Sequence, residues 1–562
     1  MRDAIADRRL QAGALALSII LIAGVLAIGP LSTHGQVPSP SPSSPVPTPV
    51  PSVTVDSSLA LGAPSATDQA STSSIPTPSP SEFHFPIETP GQPTPTLRAT
   101  PSPTPFFTTT GWPIEFNGDQ SGDGDSATIG PDGTLFIDGA PGFDAKGRAR
   151  TGWQLPDGSY AQPAIFASDG TSYALVSPPD EDSSNDQPDE LYAFDKNADV
   201  RAGWPIDVES DADIQPGPAA SVYVFEGLTD DTVKVSVYTP DAKKKASWSF
   251  ANPGSDCGEV VRPDGSVYFA YGPSDSALDC AIRVFGPTGT LQSPAPTRGW
   301  NGIALMPDGG VVTWGYDMEP YGSAVARTRV AKIGPDGQAM AGWPVTVEGA
   351  ASEPAFGPDG TMYLTELGLG TTPSQIVAFD TTGAPKSGWP VALPAGFGPL
   401  LDDSEHPNPP ELGNAGVVYC AAVDKDLMGY VMAFDSSGAA VPGWPYKLPQ
   451  AFSDFSSGAT QSSGPTNPGP IFASGPAGST ATGGLVYLML DDRVVALKPD
   501  GTVAPGWPRV LSGAYADAIW EAALVTPDGG LIAVASASRQ DDSDNEVDFD
   551  VAFRWTVSGG QP

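Results

Sequence analysis

Ile376-Val377-Ala378-Phe379-Asp380-Thr381-Thr382-Gly383, followed shortly by Gly388-Trp389-Pro390, is one copy of a phrase that recurs down this chain. It returns as Val431-Met432-Ala433-Phe434-Asp435-Ser436-Ser437-Gly438 with Gly443-Trp444-Pro445. It returns again as Val494-Val495-Ala496-Leu497 with Gly506-Trp507-Pro508, and as Leu191-Tyr192-Ala193-Phe194-Asp195 with Gly203-Trp204-Pro205. An apolar strand, an Asp-x-x-Gly turn and a Gly-Trp-Pro step make a unit of roughly 40 to 60 residues with several strands per copy. That period is the signature of a repeat architecture, most often a β-propeller.

Upstream of each such strand stands a second turn. Pro131-Asp132-Gly133, Pro263-Asp264-Gly265, Pro307-Asp308-Gly309, Pro358-Asp359-Gly360 and Pro527-Asp528-Gly529 share it. Pro presets φ, Asp bonds its own backbone and Gly takes the positive φ. Apolar strands follow these turns, as in Ser266-Val267-Tyr268-Phe269 and Thr361-Met362-Tyr363-Leu364. The unit therefore reads strand A, Pro-Asp-Gly turn, strand B, variable loop, strand C, Asp-x-x-Gly turn, Gly-Trp-Pro, strand D. Pro cannot donate to a ladder, so Gly-Trp-Pro belongs at the outermost strand, with Trp covering the seam between neighbouring sheets. A single sheet of this kind cannot bury both faces, so the copies must stack in a ring. Eight four-stranded blades are expected, with seven or nine as the adjacent counts, because the first copy is short and those near Trp248 and Trp300 have lost Gly-Trp-Pro. Gly111-Trp112-Pro113-Ile114 stands alone before the array, while the last unit ends at Val551-Ala552-Phe553-Arg554-Trp555 without its own copy. The early segment is expected to supply the missing outer strand of the last blade.

Outside the array the composition changes. The chain of 562 residues carries 65 acidic and 27 basic side chains, a formal charge of −38. Such a surface repels phosphates and anionic lipid headgroups, which excludes nucleic acid as a partner and leaves the bilayer only through an apolar segment. Ala12–Leu31 is such a segment, about 20 residues and long enough to span a hydrocarbon core of roughly 30 Å as a helix. Arg2, Arg8 and Arg9 precede it, so the N-terminus is expected inside and the remainder outside. The rival is a signal peptide cleaved near Thr33-His34-Gly35, which would leave a secreted protein. Residues 32–110 are dominated by Pro, Ser and Thr and are expected to form an uncored, polyproline-like stalk. The organisation read from the sequence is thus a cytoplasmic N-terminus (1–11), a signal-anchor helix (12–31), a stalk (32–110) and the propeller (111–562), displayed as a monomer on the cell membrane.

Chemistry-bearing residues are few. Of three histidines, His34 and His84 precede the array, and His406 lies in a Pro-rich polar loop where it reads as a solvated side chain. One histidine does not make an imidazole metal site, and a catalytic triad would require it beside a nucleophile and a carboxylate. Asp119, Asp123 and Asp125 alternate as in a calcium loop, but Gly130 occupies the place where an EF-hand carries its bidentate Glu, so only a looser calcium site is admitted. The acidic runs Asp180–Asp186 and Asp541–Asp548 fall between strands B and C and should emerge on one ring face. Cys257 and Cys280 fall at one end of one repeat, a spacing that admits a disulfide. Cys420, in an apolar strand, reads as a buried free thiol.

The Val-x-Ala-Phe/Leu-Asp-x-x-Gly phrase with Gly-Trp-Pro resembles the repeat of the quinoprotein-type (PQQ-like) β-propeller superfamily, over about 450 residues. The resemblance implies the fold. It also implies a range of roles, from quinone-dependent dehydrogenases to cofactor-free envelope scaffolds. The quinone enzymes of that superfamily use an adjacent-cysteine disulfide and a calcium ion, and this chain has no adjacent pair. The expected function is therefore a membrane-tethered extracytoplasmic binding or scaffold module. It would engage a protein or glycan through loops such as Leu401–Gly413 and Phe452–Gly484, without an organic cofactor. The alternative is an extracytoplasmic quinoprotein-like dehydrogenase or a carboxylate-based glycan-active enzyme.

Overall fold

The computed structural model describes residues 111–556 apart from connecting segments such as 117–126, 151–159, 178–187, 402–405, 452–470, 475–484 and 541–545. The anchor segment, the stalk, both acidic runs and Asp119, Asp123 and Asp125 lie wholly or largely outside the described residues. Among the described residues no helix is long and apolar enough to cross a membrane.

The described residues form nine small antiparallel sheets in chain order. The third is typical: Asp213–Pro216, Val222–Leu228, Thr232–Tyr238 and Lys244–Ala251 lie side by side, each hydrogen-bonded to the next. The sequence reading was eight blades, with seven or nine as the adjacent counts. In the first sheet, among the described residues, Ala127–Ile129 and Leu135–Ile137 are paired, and Phe143 adds bridges to Leu135 and Ala149. Short as it is, this sheet packs on both neighbours.

Each apolar cluster lies between sheets rather than within one. Phe136 of the first sheet packs with Phe194 of the second, Leu175 of the second with Val224 of the third, and Phe225 of the third with Phe269 of the fourth. One larger cluster joins the fourth, fifth and sixth sheets. Further clusters join the sixth to the seventh, the seventh to the eighth and the eighth to the ninth. The last puts Ile532 and Val534 of the ninth sheet against Leu135 of the first. The succession closes on itself, as in a β-propeller. A period-2 strand puts alternate side chains on opposite faces, so near-continuous apolar runs such as Val486–Leu490 follow from burial on both.

Closure is made by the early segment. Ile114–Phe116 pairs antiparallel with the C-terminal strand Glu546–Trp555, Ile114 opposite Ala552, and becomes the outer strand of the ninth sheet. Glu115 fastens it, accepting hydrogen bonds from Arg539 Nη1 at 2.7 Å and from the Tyr515 hydroxyl at 2.8 Å.

Candidate functional site

The repeated residues all serve one end of the sheets. The tryptophan of Gly-Trp-Pro lies edge-on to the strand-B tyrosine of its own sheet, Trp389 with Tyr363 at 5.3 Å and Trp204 with Tyr173 at 5.5 Å. Its indole Nε1 donates to a carbonyl in the C–D turn of the next sheet: Trp204 to Pro240 at 3.0 Å, Trp389 to Ser436 at 3.4 Å, Trp444 to Pro499 at 2.9 Å. Gly388 has φ +88°, and a Cβ there would overlap the Ser437 carbonyl oxygen. In return, a Cβ on Gly438 of that turn would overlap the Gly388 carbonyl. Both glycines of the sequence motif are thus explained by one contact, each pressed on the other's backbone. The pairs Gly111–Gly147, Gly342–Gly383 and Gly443–Gly501 repeat it. The six Trp-Pro bonds at this step are cis.

A further device joins the turns here. The residue six positions after the Asp of the C–D turn is basic in three copies, and its cation reaches back to the A–B turn. Lys386 Nζ donates to Asp359 Oδ2 at 3.1 Å and Thr361 Oγ1 at 2.8 Å. Arg150 does the same to Asp132 and Thr134, and Arg201 Nη1 bonds Thr171 Oγ1 at 3.0 Å. Aligning the copies on the Asp of the C–D turn shows Arg150, Arg201 and Lys386 at one place. A cavity of about 210 Å³ lies at this end between the first two sheets, lined by Phe136, Phe166, Arg150 and Lys196 among others. Phe136 stands where Tyr363 stands in the sixth sheet, the seat of a tryptophan. The corresponding Trp153 lies outside the described residues.

The opposite end is irregular. The A–B connection is five residues long in eight of the nine sheets (167–171, 262–266 and 357–361, for example). The B–C connections range from two residues (491–492) to eleven (178–188). The inner strand is broken in the second, sixth and seventh sheets, and the interruption is longest in the seventh: Phe397–Pro399 and Glu411–Leu412 both pair with Val418–Asp424, and the residues between them leave the sheet. That excursion carries His406 to the fifth sheet. There its ring lies parallel to that of Tyr316, centroids 4.8 Å apart and planes at 2°. The histidine read as a solvated loop side chain is therefore a stacked, partly buried one, because the loop crosses toward its neighbours. The Tyr316 hydroxyl donates to the Ala351 carbonyl of the sixth sheet at 3.2 Å.

Ala351 pairs with Glu366, at the same end of the sixth sheet. Glu366 is 1% exposed. Its Oε2 accepts from Gln375 Nε2 at 2.8 Å, and its Oε1 has no hydrogen-bond partner. Burial raises its pKa above the ordinary glutamate value; the Gln375 bond opposes this, and the charge of Glu348 adds to it. Cys257 and Cys280 also lie at this end, joined by a disulfide with Cα atoms 6.4 Å apart. Cys257 occupies a β-bulge opposite Tyr271 and Ala270, and the Cys280 backbone is bridged to Trp300. Cys420 is free and buried between sheets, its thiol pushed up to about 12 by burial. Among the described residues no group of three or more His, Cys, Asp or Glu converges as a metal site would.

No family model matches the sequence, and no curated protein is similar to it. Solved structures with a similar chain trace include dipeptidyl peptidase 4 of Porphyromonas gingivalis, 11% identical, over 77% of this chain and 65% of that one, with a TM-score of 0.42. A dihydro-heme d1 dehydrogenase is 11% identical over 79% of this chain and 82% of its own (TM-score 0.37). A europium-containing methanol dehydrogenase is 12% identical over 68% and 89% (TM-score 0.32).

Proposed function

We propose that this chain is a binding scaffold: a propeller in which each of the nine sheets forms a blade, held outside the cell by the N-terminal anchor and stalk, with a protein or glycan engaged on the B–C face. One observation carries the reading. The repeated glycines, tryptophans and cations are spent on seams at the A–B and C–D end, where connection length is almost constant. The B–C end has unequal connections, inner strands broken in three sheets and a loop of the seventh sheet whose His406 stacks on Tyr316 of the fifth. Function on rigid scaffolds concentrates in such variable loops. The acidic composition favours a neutral or basic partner over a nucleic acid.

The test is insertional. A short neutral epitope is placed in the 402–405 segment, or as a control in the Asp169–Gly170 turn at the other end, where Asp169 is exposed and a Cβ on Gly170 would meet nothing within 4 Å, of the full-length chain in mild detergent. Binding is then read against purified envelope glycans and against cross-linked partners identified by mass spectrometry. Loss confined to the 402–405 insertion supports the reading; equal loss or no loss in both sinks it. A tightly held organic cofactor in the native mass of the intact chain would favour the dehydrogenase alternative.

A further inference from the structure

Two sheets carry a glutamate at the same place, the fifth residue of strand B, directed at the preceding sheet. Val222, Val224 and Glu226 share that face in the third sheet. Met362, Leu364 and Glu366 share it in the sixth. Both carboxylates are buried, 4% and 1% exposed. Their cross-strand partners differ. Glu226 stands opposite Lys234, whose Nζ lies 2.8 Å from Glu226 Oε2; the bond to Glu226 is the main cause of that lysine's raised pKa. Glu366 stands opposite Gln375, which brings one N–H and no charge.

A buried carboxylate without a counter-ion is costly, and such a group keeps a proton instead. The titratable groups at this end of the packed elements leave it unneutralised. Glu348, before the inner strand of the sixth sheet, repels it. Arg327 of the fifth sheet is taken up by Glu348 at 3.1 Å. Tyr316 commits its hydroxyl to Ala351, and His406 lies stacked on Tyr316. We propose that Glu366 is a proton-binding site in the seam between the fifth and sixth sheets, which makes that seam, and the His406–Tyr316 junction above it, tighter in acid and looser as the outside pH rises. The sign follows from linkage. A carboxyl that holds its proton more firmly folded than unfolded contributes fully below its unfolded pKa, and the contribution is lost as pH rises through the folded pKa.

The internal comparison supplies the test. Thermal unfolding of the full-length chain is followed from about pH 5 to about pH 8 for the wild type, Glu366→Gln and Gln375→Lys. The expected result is a wild-type midpoint that falls relative to Glu366→Gln as the pH rises across that range. Gln375→Lys, which copies the Glu226–Lys234 pair, should flatten the profile. Parallel profiles for wild type and Glu366→Gln would overturn the proposal, as would a Gln375→Lys protein that keeps the wild-type slope. If Glu366→Gln fails to fold, the Gln375→Lys arm decides alone. Protection of the amides of residues 350–351 against hydrogen exchange, with the intrinsic pH dependence of exchange divided out, should fall at the higher pH in the wild type and stay level in Gln375→Lys, which locates the effect in this seam.

Discussion

Gly388 and Gly396 offer a controlled measurement of what one seam contact is worth. Both have φ +88°. A Cβ at Gly388 would run into the Ser437 carbonyl, whereas a Cβ at Gly396 would meet nothing within 4 Å. Alanine at either site bears the left-handed backbone penalty, about 1 to 2 kcal/mol. At Gly388 the overlap is with main chain and cannot be relieved by a rotamer change. The sixth and seventh sheets must separate locally, lengthening the Trp389–Ser436 hydrogen bond and opening the packing of a tryptophan that is 6% exposed. Overpacking of this kind adds about 1 to 3 kcal/mol. Gly388→Ala is therefore expected to destabilise by about 2 to 5 kcal/mol and Gly396→Ala by about 1 to 2. The assay is urea unfolding of the two variants and the wild type side by side, followed by tryptophan fluorescence. Equal losses in the two variants would refute the reasoning, because they would leave the reciprocal glycine contact without energetic weight.

Other outcomes follow from single features. Ala242 takes the place of the turn glycine beside Gly203 with φ +59°, so Ala242→Gly should stabilise by about 1 kcal/mol in chemical denaturation. Replacing Cys257 and Cys280 by serine opens a loop of sequence separation 23 and should cost about 3 kcal/mol, read as a lower unfolding midpoint that reductant no longer changes. Cys420, with its thiol at about 12, should resist iodoacetamide at mildly alkaline pH in the folded protein and react once urea unfolds it, as counted by intact mass.

Much of the fold could be read from the chain because its turns are chemically particular. Asp380 and Asp435 accept backbone N–H bonds two and four residues on, which only a short acceptor side chain at the turn's start can do. The place of Gly111-Trp112-Pro113 beside the last sheet was legible too, since the C-terminal unit lacked that one piece. What escaped were relations between copies. The register that sets Gly388 against Gly438, or Lys386 against Asp359, is fixed by how sheets stack, and one unit read alone does not contain it. The standing of the first copy escaped for a related reason: its sheet keeps its place through the seams it fills, not through the strands it holds. At the irregular end, neither the reach of His406 to Tyr316 nor the isolation of Glu366 follows from local pattern. Both depend on a loop path and on the identity of a cross-strand neighbour, Gln375 in one sheet and Lys234 in another.

The strand Ile114–Phe116 is made first and paired last. Glu115 and Arg539 are 424 residues apart. At about 5 to 20 residues per second of synthesis, that strand waits on the order of 20 to 80 s for its partner. Throughout that interval the first sheet has a neighbour on one flank only, and its apolar face, Leu135 and Ile137 included, stays uncovered. The molecule therefore passes through an open arc with two sticky ends before it becomes a ring. The concentration of such arcs, rather than the stability of the finished ring, sets how readily two chains close on each other instead of on themselves.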